Sequence, residues 1–98
     1  MIYCFDLDGT LCSTPDESYK DAEPHMDRIY YVNSLFEKGH TIIIETARGT
    51  MTGIDWFSVT KNQLSEWGLK YTQLRTGIKF AADVYIDDKC VNSENFFD

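Results

Sequence analysis

The chain opens on an apolar run, MIYCFDL (residues 1–7), with apolar side chains on both alternations and the β-formers Ile2, Tyr3 and Phe5. Such a run predicts a short strand covered on both faces, with Cys4 in the core. Residues 12–24, CSTPDESYKDAEP, are polar and hold both prolines, so they read as a loop. Ile29, Val32 and Phe36 then recur at helical spacing. A helix is expected there, over about residues 25–38, with Gly39 placed to end it. HTIIIET is a second buried strand that closes at Thr46, and ARGTMTGID after it is a glycine- and threonine-rich loop. Phe57, Thr60, Leu64 and Trp67 mark one face of a second helix, with Gly68 at its end. LKYTQL predicts a third strand, and DVYID a fourth that stops at Asp87-Asp88. The tail, NSENFFD, carries no pattern that predicts an element, and the chain shows no repeat or low-complexity tract.

The order is βαβαβ plus a further strand. It predicts an α/β fold in which helices pack on a parallel sheet through right-handed crossovers. Ligands collect at the carboxyl ends of the strands in such sheets. The polar residues of interest sit there: Asp6 and Asp8 after the first strand, Thr46 and Arg48 after the second, Asp87 and Asp88 after the last. Three segments deliver chemistry to one edge.

With 98 residues the chain is expected to form one domain, residues 1–98. An apolar content of 43% places it among globular rather than disordered chains. No apolar stretch is long enough to span a bilayer, and the start of the chain opens directly into a strand, so neither a membrane anchor nor a signal peptide is expected. Cys4, Cys12 and Cys90 are odd in number and form no CxxC, which fits a reducing cytoplasm. His25 and His40 stand at no ligand spacing to them, against a zinc site. The net charge of −7 argues against a grip on a nucleic-acid backbone, although a phosphate pocket can still be locally positive.

Asp-Gly is a common turn dipeptide, which accounts for Asp8-Gly9 but not for Asp6, a charge at the end of a strand expected to be buried. DLDGT here resembles the DxDGT signature of the haloacid dehalogenase superfamily, at the matching position after the first strand. Thr46 closing an apolar strand resembles the second motif, Lys79 the third, and YIDDK the acidic fourth. GHTIIIETARG, GIDW, QLSEWGLKY and DVYIDDK are most similar to the small phosphatases associated with capsule and sugar-nucleotide biosynthesis. One departure stands at the third motif, where Ile78-Lys79-Phe80 replaces the frequent Gly-Lys-Pro.

The resemblance implies a three-layer, Rossmann-like sheet with helices on both faces. It also implies a phosphatase that works through an aspartyl-phosphate on Asp6. Nucleophile and phosphate ester are both anionic, so the reaction needs a divalent cation and a positive side chain to neutralise the phosphoryl group. Asp6, Asp87 and Asp88 offer hard oxygens suited to Mg²⁺, and the resemblance adds the backbone carbonyl of Asp8. Alignment with the family's Gly-Asp form puts Asp88 on the metal and Asp87 behind it or on a metal-bound water. Asp8 is expected as general acid and then base, kept neutral beside an ionised Asp6. Thr46 is expected to hydrogen-bond the phosphoryl group, Lys79 to neutralise it, and Gly9-Thr10 to form the turn that aims both aspartates at one phosphorus. Arg48 is either a bidentate ligand of phosphate or of a substrate carboxylate, or a solvated loop arginine.

No interval is long enough for a cap domain. Loops 12–24 and 49–55, with Tyr19, Lys20 and Trp56 as candidates, or a neighbouring copy in a homo-oligomer, would then select a small phosphorylated metabolite, plausibly a sugar phosphate. Two other readings compete. A polynucleotide 3′-phosphatase would need a basic track, and no Lys/Arg cluster is present. A non-catalytic module on the same fold would show decayed motifs, and these are intact.

Overall fold

The computed structural model describes residues 1–49, 53–77 and 82–98. In chain order the elements are β1 (Ile2–Asp6), β2 (Cys12–Ser13), β3 (Glu23–Pro24), α1 (Met26–Glu37), β4 (Thr41–Thr46), α2 (Phe57–Glu66), β5 (Gln73–Thr76) and α3 (Ser93–Phe96). β1, β4 and β5 form a parallel sheet in the order β1-β4-β5. Asp6 lies beside Glu45 and Thr46 beside Thr76, so the three strands finish at one edge.

The helices form where apolar residues recur every three or four positions. α1 buries Ile29, Val32 and Leu35 and packs against β4, and Gly39 follows its end. α2 packs against β5 and buries Thr60, Gln63 and Leu64; Phe57, expected on that face, is 40% exposed. Ile29, Val32, Leu35 and Leu64 share one core with Phe5, Leu7, Leu11, Ile42, Ile44, Leu69 and Leu74.

Four expectations need correction. The sheet is sealed more fully on one face than on the other: Ile42, Ile44 and Thr46 are buried, whereas Ile43 and Glu45 are only partly so. Successive strand side chains point to opposite faces, and the core fills one of them. Cys4 therefore lies exposed with Ile2, and Cys12 is the buried cysteine. The third strand begins later than LKYTQL suggests; Leu69 and Tyr71 still pack on the core, without strand pairing. Residues 82–88 form no strand, with Val84 71% and Ile86 95% exposed. Alternating β-formers favour a strand only where an edge and a covering layer receive them. Finally, the polar segment 12–24 is more ordered than a plain loop. β2 and β3 pair antiparallel across it, and two 3₁₀ turns, Pro15–Glu17 and Tyr19–Asp21, fill the span between.

The tail also folds. The Asn92 side chain accepts a hydrogen bond from the Glu94 backbone N–H and caps α3. Phe96 and Phe97 then pack against Tyr31 and Phe5, at ring-centroid distances of 5.6–6.0 Å. Arg28 joins this cluster to the turn after Asp8: its guanidinium lies 4.8 Å from the Phe97 ring centre and donates to the Thr10 carbonyl at 2.8 Å. Among the described residues no helix is long and apolar enough to cross a membrane.

Candidate functional site

The chain turns sharply at the carboxyl end of β1. The Leu7 carbonyl accepts from the backbone N–H groups of Thr10, Leu11 and Cys12 at 3.1, 2.9 and 3.3 Å, and Gly9 donates to the Cys12 carbonyl at 2.8 Å. Gly9 has φ +85°, which a side chain rarely adopts, so glycine is the residue this turn requires. Gly9 and Thr10 thus form the expected turn. Asp6, half-buried, ends the strand and Asp8 stands at the turn's start.

Around Asp8 the structure gathers four donor side chains from two segments, residues 12–14 and 46–48. Thr14 donates to Oδ1 at 2.6 Å and Thr46 to Oδ2 at 3.1 Å. Arg48 donates through Nη2 to Oδ1 at 2.8 Å and through Nε to Oδ2 at 3.0 Å. The Cys12 thiol approaches Oδ1 at 3.6 Å. Burial pushes the Asp8 pKa up, but the bonds from Arg48, Thr14 and Thr46 and the Arg48 charge outweigh it, leaving the carboxyl below its ordinary 3.8. Asp8 is therefore ionised in this arrangement, not neutral as the sequence suggests: the sequence pairs Asp8 with Asp6, while the fold brings a cation against it. Burial pushes the Cys12 thiol up to about 11, so it stays protonated and is a weak donor rather than a nucleophile.

Arg48 departs furthest from expectation. It is not a solvated loop arginine, because its side chain is fully buried. Nη1 donates to Thr60 Oγ1 at 3.1 Å and to Gln63 Oε1 at 2.6 Å, both on α2, and the Tyr19 ring centre lies 4.7 Å from its guanidinium carbon. Gln63 turns its Nε2 to the Tyr19 carbonyl, and Tyr19 meets Trp56 edge-on at 5.0 Å. Loop 12–24, the loop after β4 and α2 thus converge on one guanidinium. Gly49, with φ +84°, lets the backbone pass Ile54, whose carbonyl oxygen a Cβ there would strike. Gly49→Ala is expected to destabilise the fold by about 1–3 kcal/mol, read as a lowered thermal midpoint; an unchanged midpoint would contradict this packing.

Of the sequence-predicted residues, Asp8, Thr46 and Arg48 come together. Asp87 and Asp88 lie on an exposed turn, where the Lys89 backbone N–H donates to Asp87 at 2.8 Å and holds it below the usual carboxylate range. Among the described residues no three His, Cys, Asp or Glu side chains gather as a metal-holding group. Lys79 lies outside the described residues. Thr14, Thr60 and Gln63 join the site without having been expected there. The signal for the last two was present, since they are polar residues on the inward stripe of α2.

The donors at the end of β1 are all oxygens, the Asp6 carboxylate and the Asp8 carbonyl. That chemistry suits a hard cation that keeps several waters. A parallel α/β sheet with its polar residues gathered at the carboxyl edge is the class that the fold and site define. No family model and no curated protein matches the chain. Among solved structures, a crystallographic target from Vibrio cholerae is similar, with a TM-score of 0.86 and 25% identity over 98% of this chain and 86% of that one.

Proposed function

We propose that the chain is a Mg²⁺-dependent phosphatase of the haloacid dehalogenase type, with an uncapped site and the three-layer arrangement that family implies. The observation that carries the reading is the meeting of Asp8 with Thr46 at the carboxyl edge of two adjacent parallel strands, two positions after Asp6.

In this reading Asp8, ionised at rest, takes up a proton from solvent as the substrate binds; an Asp6 carboxylate oxygen then bonds to phosphorus as the bond from phosphorus to the leaving oxygen breaks, and Asp8 supplies that oxygen with the proton. Water then attacks the aspartyl-phosphate, Asp8 takes its proton, and the bond from phosphorus to Asp6 breaks. Asp6 is then a free carboxylate again, and Asp8 gives the proton back to solvent as phosphate leaves. Thr46 links the steps. Its hydroxyl donates to Asp8 Oδ2; when it turns to a phosphoryl oxygen, Oδ2 loses one of its donors and is the oxygen that carries the proton. Asp6, the Asp8 carbonyl and Asp88, with Asp87 behind it, would hold Mg²⁺, which when bound neutralises phosphoryl charge; Lys79 adds to that neutralisation.

A groove of about 330 Å³ is lined by Ser13, Thr14, Pro15, Asp21 and Glu23, and Thr14 is also a hydrogen-bond partner of Asp8. Hydroxyls and carboxylates along it favour a hydroxyl-rich leaving group and repel a polyanion, which supports a sugar phosphate over a polynucleotide end. The test is a panel of sugar phosphates and a 3′-phosphorylated oligonucleotide, with and without Mg²⁺. Sugar phosphates are expected to turn over only with the metal. Preference for the oligonucleotide would move the reading to a polynucleotide 3′-phosphatase, and no turnover on any ester would leave a binding module.

A further inference from the structure

We propose that Arg48 is a positioning residue that fixes the Asp8 carboxylate, and that Gln63 and Thr60 in turn fix Arg48; it does not bind the substrate's phosphoryl group. The proposal rests on the reading of Asp8 as the acid–base group. A guanidinium has five N–H donors. Four are directed at named acceptors: Nε and Nη2 at Asp8, and the two on Nη1 at Thr60 and Gln63. The Arg48 side chain is 0% exposed, whereas that of Asp8 is 25% exposed. A phosphate arriving from solvent therefore meets Asp8 first and finds the guanidinium behind it.

The fork sets the plane of the carboxylate, because two parallel N–H···O bonds leave it one orientation. The fork is held in turn. Gln63 uses both ends of its amide, accepting from Arg48 and donating to the Tyr19 carbonyl, and the Tyr19 ring covers the guanidinium face. Removing either α2 acceptor would leave a buried N–H unpaired and let the fork rotate. Displacements of an ångström at a reacting group are enough to slow chemistry without weakening binding.

The test uses Arg48→Lys, which keeps the charge and loses the fork, and Gln63→Leu, which leaves Arg48 and Asp8 in place. Each is expected to lower kcat about 10- to 100-fold on a hydrolysed sugar phosphate, with KM changed by less than about twofold. Independently of turnover, ¹⁵N-labelled wild type is expected to show an Arg48 Nε–H resonance protected from solvent exchange, and Asp8→Ala to lose that protection. A large rise in KM with kcat kept in Arg48→Lys would make Arg48 a phosphate ligand and overturn the proposal. Unchanged kcat in both variants, or an Nε–H that exchanges like that of an exposed arginine, would overturn it as well. A protected resonance in a protein that hydrolyses no ester would instead sink the phosphatase reading while supporting the clamp.

Discussion

Asp6→Asn is expected to lower Mg²⁺-dependent hydrolysis by a factor on the order of 10⁴ or more, with the circular-dichroism spectrum of the wild type retained. The substitution keeps the shape of the side chain and removes the charge that attacks phosphorus. The amide is no nucleophile, and an acid-quenched reaction with labelled ester should show phosphate bound covalently to wild type and none to the variant. Asp8→Asn is expected to fail differently. It keeps Asp6 able to attack, so it loses proton transfer rather than the bond-forming group. Turnover that survives in Asp6→Asn would end the covalent route.

Asp8→Ala carries the largest expected effect on stability. It leaves the Arg48 guanidinium buried without its anion, a loss of about 3–5 kcal/mol from a total that for a domain of this kind is about 5–15 kcal/mol. The thermal midpoint should fall by about 15–25 °C. Asp8→Asn, whose amide oxygen still accepts from the fork, should lose less. The pH dependence has a definite sign. The folded-state pKa of Asp8 lies below its ordinary 3.8, so its stabilisation is present above that value and is lost as pH falls through the folded-state pKa. Urea unfolding at stepped pH should therefore show wild-type stability dropping below about pH 4, and a flatter profile for Asp8→Asn. Equal slopes would show that Asp8 is not held by the network around it.

Elements with a strong period were legible in the sequence: the run to Asp6, the stripe of Ile29 and Val32, the strand closing at Thr46, and the helix carrying Thr60 and Leu64. DLDGT located the turn. The hidden part was non-local and polar. Arg48 reaches Asp8 across forty positions, and no periodicity reports which loop arginine will be buried or what it will meet. DVYID misled because β-propensity describes a fit to a sheet surface rather than a place on one. The NSENFFD tail carried its own signal, an Asn cap followed by two aromatics, but the signal has meaning only against the Phe5 and Tyr31 faces that receive it.

The clasp from Arg28 to Thr10 and Phe97 has a consequence for the order of events during synthesis. DLDGT leaves the ribosome before Phe97 does, yet one of the bonds that steadies its turn comes from a side chain that also leans on Phe97. While the chain is still being made, the turn's own backbone bonds can form, but Arg28 lacks the Phe97 ring it leans on and β1 lacks the cover of Phe96 and Phe97. A nascent chain halted before Asn92 would carry the whole DLDGT signature without the aromatic cover that backs Arg28.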